Sequence, residues 1–544
     1  MNSNKRTILY ISLTLIVGLF LGAYFSNALL RRLPALNNNK FGAILNLISA
    51  KYVDSISVDN LTEKAIPLVV AGLDPHSVYI PASDLQTVNE DLEGRFSGIG
   101  VQFNITRDTV TVVSVITGGP SEKVGLMPGD RIVKINDSIF VGKKVTNERV
   151  MKKLRGKEGS FVKLGIKRST SRELLSFKIE RGEIPVNSVD VAYRVEANIG
   201  YIKISKFGET TYDEFVSALA KLQSLKCTSF IIDLRGNPGG FYNIAVQMVN
   251  EFLPEGRLIV YTHGKIMPRE DQLSDGSGSM QNNQIAVLID EFSASSSEIF
   301  AGAIQDNDRG LVIGRRSYGK GLVQQQYPLA DGSALRLTIA RYYTPSGRCI
   351  QKEYQLGGNE EYEQDIVKRY LHGEFDSKDS VKLNKKKVFK TITGRKVYAG
   401  GGIMPDYFVP RDKTGLNSYY NSLIDNGVIY QFCFEYADKN RTTLSAYKNY
   451  KQLVEYLKTQ DIVGELTDYA HEKGVRRRPI YIEMSRHLIE LQAHAFIARN
   501  LLGEDAFYPI FLQDDATLRK AVEVLQNRES QKLAAKAQSV AQTR

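Results

Sequence analysis

Apolar positions recur along this chain with different periods, and each change of period marks a region. In residues 40–90, Ile44, Leu47, Ile48 and Val53 fall at helical spacing, followed by Leu61, Ala65, Leu68 and Val69 on a second face. These predict helices that stop at Leu73-Asp74-Pro75. From Ser97 to about Ile184 the pattern shortens to β-branched runs at 110–115, 131–135, 161–166 and 177–180, separated by Gly, Pro and Asp turns. Within this β-rich module, Val145, Val150, Met151 and Leu154 suit one helix laid against the strands. A larger region then alternates strands at 199–204, 230–234, 285–289 and 311–313 with helices at 212–225 and from about Ser295, as crossover units do. Residues 351–390 are polar and charged, with Lys385, Lys386 and Lys387, and read as a surface insertion. Beyond Pro410 helical periodicity returns, for example at 484–501 and 518–525, and no repeat of fixed period stands out.

At 544 residues, with 42% hydrophobic content, the chain is long enough for three or four units. The net charge of +11 does not point to nucleic acid, because Lys and Arg are interleaved with Asp and Glu. Cys227, Cys349 and Cys433 are too widely separated for metal-ligand spacing or a disulfide framework and read as buried thiols. The six histidines are scattered, and His471-Glu472 lacks the second histidine of a zinc-protease helix; His76 reads as a turn residue. Lys5 and Arg6 precede an apolar run over 7–25 that approaches the length needed to cross a bilayer, with Arg31 and Arg32 beyond it. No small-residue cleavage site follows, so an uncleaved signal anchor is expected over a removed signal peptide, with the body outside the cytoplasm.

Three segments carry chemistry. Asp290-Glu291-Phe292-Ser293-Ala294-Ser295-Ser296-Ser297-Glu298 sets small hydroxyl residues between a buried strand and a helix, which suits either a nucleophile or a plain helix cap. Tyr318-Gly319-Lys320-Gly321 pinches a lysine between glycines. Such a lysine is either solvated or, if buried, lowered from its usual pKa of about 10.4 far enough to act as a base toward serine. Asp233-Leu234-Arg235-Gly236-Asn237-Pro238-Gly239-Gly240 follows a strand with glycines that expose amides, fitting a tight turn or an oxyanion loop. It has no phosphate-loop signature.

Together, D-L-R-x-N-P-G-G, S-A-S-x-S-E-I and G-K-G-x-V-Q resemble the peptidase core of the C-terminal processing (tail-specific) serine peptidase family, and Gly400-Gly401-Gly402-Ile403-Met404-Pro405-Asp406 resembles the motif that closes it. The resemblance implies Ser295 as nucleophile, Lys320, 25 positions later, as general base and Gln324 as the group orienting its amine. Gly239 and Ser296 are the expected backbone oxyanion donors, and Ser296 stands where alanine is commoner in the family. Phe96-Ser97-Gly98-Ile99-Gly100-Val101 resembles the carboxylate-binding loop of PDZ domains, with Ser97, Gly98, Ile99 and Gly100 as tail-binding residues, and Gly125-Leu126-Met127-Pro128-Gly129-Asp130-Arg131-Ile132 resembles their inner turn. Arg155 matches a family arginine implicated in coupling tail binding to the lysine region.

The expected fold is multidomain α+β. It comprises a signal anchor (1–33), N-terminal helices (34–95), a PDZ module (96–184), a ClpP/crotonase-like α/β peptidase core (185–414, with the 351–390 insertion) and a helical C-terminal extension (415–544). The expected function is a serine endopeptidase that selects protein C-termini and needs no metal or organic cofactor, set in a bacterial cell envelope and anchored in the inner membrane with its body in the periplasm. A homodimer and an activating adaptor are further expected partners, and nucleic acid is not. The competing readings are a catalytically silent PDZ-containing envelope scaffold and a small-ester hydrolase.

Overall fold

A computed structural model describes Gly18 and residues 40–543, apart from 107, 117, 169–170 and 383–386. The chain divides into two units, Met1–Gly72 and Leu73–Arg544. In the first, α1 (Lys40–Lys51) and α2 (Val58–Val70) follow the predicted helical spacing, and the Ser57 hydroxyl caps α2 by accepting from the Asn60 N–H at 3.2 Å. Their apolar faces are largely uncovered: Leu47, Leu68 and Val69 are exposed. The apolar run 7–25, expected as a membrane anchor, lies outside the described residues except for Gly18, and no described helix is long and apolar enough to cross a membrane.

In the second unit the short strand Val78–Ile80 leads into helix α3 (Ala82–Glu93), which ends at Gly94 in the left-handed conformation. The β module follows. Its strands β1 (Arg95–Gly98), β2 (Val101–Thr106), β3 (Thr109–Val115), β4 (Arg131–Ile135), β5 (Phe161–Lys167), β6 (Leu175–Glu180) and β7 (Gly182–Pro185) are antiparallel, with β1 paired to β7 and the rest ordered β2-β3-β4-β5-β6. Helix α4 (Asn147–Leu154) buries Val150 and Leu154 against them, as the spacing predicted.

The next segment folds as a twisted six-stranded sheet. Strands β8 (Val189–Glu196) and β9 (Ile199–Ile204) form an antiparallel pair, after which β10 (Ser229–Asp233), β11 (Gln284–Ile289), β12 (Leu311–Gly314) and the short edge strand Tyr407–Phe408 add in parallel. The parallel strands are near-continuous apolar runs because both faces are buried. One face receives α5 (Thr211–Ser224), α6 (Tyr242–Asn250) and α7 (Ser296–Asp306). A second sheet contains the hairpin β13 (Leu322–Pro328) and β14 (Ala334–Tyr343), joined on β14 by the short strand Val78–Ile80.

The described residues of 351–390 are mostly exposed or half-buried, with a few buried anchors. Helices α8 (Asn359–Glu363) and α9 (Asp365–Leu371) bury Tyr362 and Arg369, because Arg369 and Arg316 share the Glu374 carboxylate and Arg369 also donates to the carbonyls of Arg316 and Ser317. Lys385 and Lys386 lie outside the described residues. The C-terminal helices build their own core, and one near their end, α10 (Ala516–Gln526), covers the second face of the six-stranded sheet. Cys227 and Cys433 are buried thiols, while Cys349 is only half-buried.

Candidate active site

Strand β11 delivers the chain to a turn that ends at Ser295, immediately before α7. Ser295 has φ 56° and ψ −116°, a left-handed conformation that costs a non-glycine residue about 1–3 kcal/mol and holds its side chain at a sharp strand-to-helix elbow. The surroundings impose it. The Ser295 N–H donates to Glu298 Oε2 at 2.9 Å, the Ala294 N–H donates to the Asn237 carbonyl at 3.0 Å, and the Tyr342 hydroxyl donates to the Ser295 carbonyl at 3.0 Å.

The glycine loop after β10 runs alongside. Gly239 has φ 101°, and a side chain there would put its first carbon 2.6 Å from Ser295 Cβ, so only glycine lets the loop approach the serine. The Asn237 carbonyl accepts from the Ser297 hydroxyl at 3.0 Å, and the Gly240 carbonyl accepts from the Ser296 hydroxyl at 2.9 Å. Ser296, where alanine is commoner, thereby ties the helix start to the loop. In this conformation the N–H of Gly239, an expected oxyanion donor, donates to Asn237 Oδ1 at 2.8 Å, which closes a small side-chain turn. The amides beside Ser295 with no acceptor among the described residues are those of Ser296 and Gly240.

The Lys320 amine donates to Gln324 Oε1 at 3.1 Å, and the Gln324 amide donates in turn to the His76 carbonyl. Burial lowers the Lys320 pKa, with nearby Arg336 adding to the effect and Glu298 and Asp74 opposing it. Among the described residues no hydrogen bond joins Lys320 Nζ to Ser295 Oγ; in this conformation the amine is turned to Gln324.

Three groups outside the sequence assignment organise the pair. Glu298 is fully buried, and each of its oxygens takes two donors: Oε1 the Ser317 hydroxyl and the Gly319 N–H, Oε2 the N–H groups of Ser295 and Lys320. Burial pushes its pKa up to about 7 despite those four bonds. Tyr342 donates to the carbonyls of both Ser295 and Lys320. Asp74 accepts from the N–H groups of His76 and Ser77, and from Ser77 and Thr338 hydroxyls, so the turn at 74–77 is fastened to β14. His76 meets the Tyr362 hydroxyl at 2.9 Å, and burial with Lys320 nearby lowers its pKa to about 4. The sequence signal for Glu298 was present, since it stands three residues after Ser295 at a helix start. Tyr342 and Asp74 lie on segments that only tertiary folding brings in.

In the β module, Ser97 and Gly98 end β1, and Ile99 and Gly100 make the turn into β2, with Gly100 at φ 73°. The carbonyls of Ile99 and Gly100 accept from Ser121 and Ile116, whereas their N–H groups have no acceptor among the described residues. β2 is an edge strand beside these amides. Arg155, at the end of α4, lies over the Phe96 ring at 4.2 Å and pairs with Glu90 of α3 at 3.3 Å. The neighbouring residue of α3, Asn89, accepts from Gln326 of β13, two positions beyond Gln324. Among the described residues no cluster of three or more ligating side chains offers a metal site.

Three stretches of the chain match known families. Residues 198–363 match Peptidase family S41, residues 97–179 match the PDZ domain, and residues 419–503 match a family of unknown function. The carboxy-terminal-processing protease of Bartonella bacilliformis is 37% identical over 320 residues, covering 57% of this chain and 72% of that protein. The carboxy-terminal processing protease CtpB of Bacillus subtilis is 34% identical, covering 58% and 66%. Among solved structures, the photosystem II D1 C-terminal processing protease aligns at 26% identity over 57% of this chain and 89% of that chain, with a TM-score of 0.33, too low to add to the sequence match. With Peptidase family S41 and PDZ motifs in order along one chain, and a relative matched over most of its length, this protein belongs to the carboxy-terminal processing proteases, the PDZ-bearing serine peptidases of family S41.

Proposed function

We propose that the protein is a serine endopeptidase that selects polypeptides by their C-terminal tails and cleaves them through an acyl-enzyme on Ser295. The observation that carries the reading is a buried lysine of lowered pKa on a loop whose backbone shares Glu298 and Tyr342 with the backbone of Ser295. Lys320, uncharged, takes the Ser295 proton as the hydroxyl attacks the scissile carbonyl, and then gives it to the leaving amine. This step requires the amine to swing from Gln324 toward Ser295, with Gln324 acting as its resting partner and guide. The Ser296 amide receives the oxyanion. Gly239 joins it once its N–H leaves Asn237, and the free Gly240 amide stands beside it.

The amides of Ile99 and Gly100, with Ser97 and Gly98 shaping the loop, hold the tail carboxylate while the tail adds to the edge of β2. Arg155 links this loop to α3 and so to the strand carrying Gln324, which is the route proposed for gating. From the sequence alone, residues 7–25 are proposed as an inner-membrane anchor with the body in the periplasm. The uncovered faces of α1 and α2 suit a second copy, and an activating adaptor remains part of the reading.

Ser295→Ala and Lys320→Ala are expected to abolish cleavage of a tailed model substrate while leaving tail binding intact, and wild-type turnover by either would refute the dyad. Amidating the substrate's terminal carboxylate is expected to weaken binding, by removing the charge that the loop amides receive; equal affinity for free and amidated tails would exclude this loop as the receptor. A silent scaffold would fail to react with a serine-directed acylating probe, and a small-ester hydrolase would turn over without any tail.

A further inference from the structure

Residues 504–543 fall outside both the Peptidase family S41 match and the match to the family of unknown function, yet they reach the glycine loop beside Ser295. Arg235, in the loop's D-L-R segment, bends its guanidinium back onto Asp233: Nε donates to Oδ2 at 3.0 Å and Nη2 to the same oxygen at 2.6 Å. Its remaining arm, Nη1, donates to Asp515 Oδ2 at 2.8 Å. The other Asp515 oxygen accepts the Leu518 N–H at 2.6 Å and caps α10. One carboxylate therefore fixes both the start of the helix under the sheet and the start of the loop. Asp233 and Asp515 face Arg235 and Lys203 in a balanced cluster, in which the Asp233 side chain is 1% and that of Arg235 15% exposed, and Lys203 Nζ also donates to the Arg235 carbonyl.

We infer that Asp515 is a positioning residue for the oxyanion loop, so that the last helices of the chain are part of the catalytic apparatus. The inference rests on the acyl-transfer reading above. The loop from Gly236 to Gly240 contains three glycines at positive φ, so its shape rests on the hydrogen bonds made within it and to it. Its downstream end is tied to α7 through Asn237 and Gly240, and its upstream end by the Gly236 N–H bond to Asp290 at 2.9 Å, by Lys203 and Ser293 on the carbonyls of Arg235 and Leu234, and by the Arg235 side chain, whose one contact outside the loop's own strand end is Asp515. Loss of Asp515 leaves the cluster with a surplus cation and frees one arm of Arg235 to seek water, which drags the loop from the serine. Small displacements of an oxyanion donor reduce catalysis steeply.

Asp515→Asn tests this in the full chain, because asparagine keeps the helix cap through its amide oxygen and puts an NH₂ donor where Arg235 Nη1 now finds a carboxylate oxygen. Asp515→Asn is expected to lower kcat by about tenfold or more, with KM and tail-peptide affinity within about twofold of wild type. A peptidyl boronic acid, whose adduct with serine mimics the oxyanion, should lose affinity in the same proportion, and Asp515→Glu should recover most of both. Tyr508→Phe, which removes a separate 2.6 Å bond from these helices to Asp190, should leave kcat unchanged. Wild-type kcat and boronate affinity in Asp515→Asn would overturn the inference, as would an equal loss in Tyr508→Phe, which would mark a general packing effect. Wild-type protein that fails to bind the boronate at all would overturn the acyl-transfer reading itself, and the inference with it.

Discussion

Glu298 shows how much one side chain can decide at this site. Its carboxylate accepts from the backbone N–H groups of Ser295 and Lys320, so it sets the separation of their chains. Burial raises its pKa from 4.5 to about 7, which means the folded state holds a proton that the unfolded chain releases. Its contribution to stability is therefore fully present below about pH 4.5 and is lost as pH rises through about 7, a swing on the order of 3 kcal/mol. Glu298→Gln is expected to flatten the dependence of unfolding free energy on pH across that window. It should also lower kcat by about two orders of magnitude, because its NH₂ must face N–H or O–H donors. Denaturant titrations at several pH values would check the first, and an unchanged slope would remove Glu298 as its source. Motif spacing singles out Ser295, Lys320 and Gln324 in the sequence. It does not reveal the role of Glu298, because a glutamate at that helix position is equally a routine cap until the loop 317–320 is seen to close over it.

At the scale of elements, the segment carrying α8 and α9 reads from composition as a solvated insertion, since it is rich in charge. Folding pairs that charge internally. Glu374 lies between Arg316, which directly precedes the loop of Lys320, and Arg369 of α9. Removing the shared carboxylate leaves two nearly buried guanidiniums facing each other, so Glu374→Ala is expected to cost about 3–5 kcal/mol of unfolding free energy. It should lower cleavage with it, because the carbonyls of Arg316 and Ser317 lose their fixed donor. Chemical denaturation measures the first and peptide turnover the second; a change below about 1 kcal/mol would show that the helix contacts the loop without supporting it. Sequence patterns do not reveal such pairing, since an ion pair between residues 58 positions apart leaves no periodic trace.

For the whole molecule, the six-stranded sheet has two apolar faces, and the motif-bearing segment supplies helices for only one. The other is closed by α10 from the far end of the chain, where Leu518, Ala521, Val524 and Leu525 meet Val191, Tyr201, Ile231 and Leu288. Leu518→Ala and Leu525→Ala are each expected to cost about 2–5 kcal/mol, as buried leucines do. The loss should appear in the same unfolding transition that abolishes reactivity of Ser295. A separate, earlier transition with the peptidase left intact would make the C-terminal helices an independent domain.

The sequence by itself determined the β-rich module, the alternating strands and helices of the core, the strand-to-helix elbow at Ser295 and the glycine loop. Each of these is a local matter of periodicity, turn chemistry or fixed spacing. Only the tertiary structure decided which distant groups serve them: Glu298 closing over the lysine loop, Tyr342 joining two backbones, Glu374 pairing the insertion, Asp515 reaching Arg235, and the amine resting on Gln324 rather than on Ser295. Those contacts depend on burial and on chain segments far apart in order, and a linear pattern records neither.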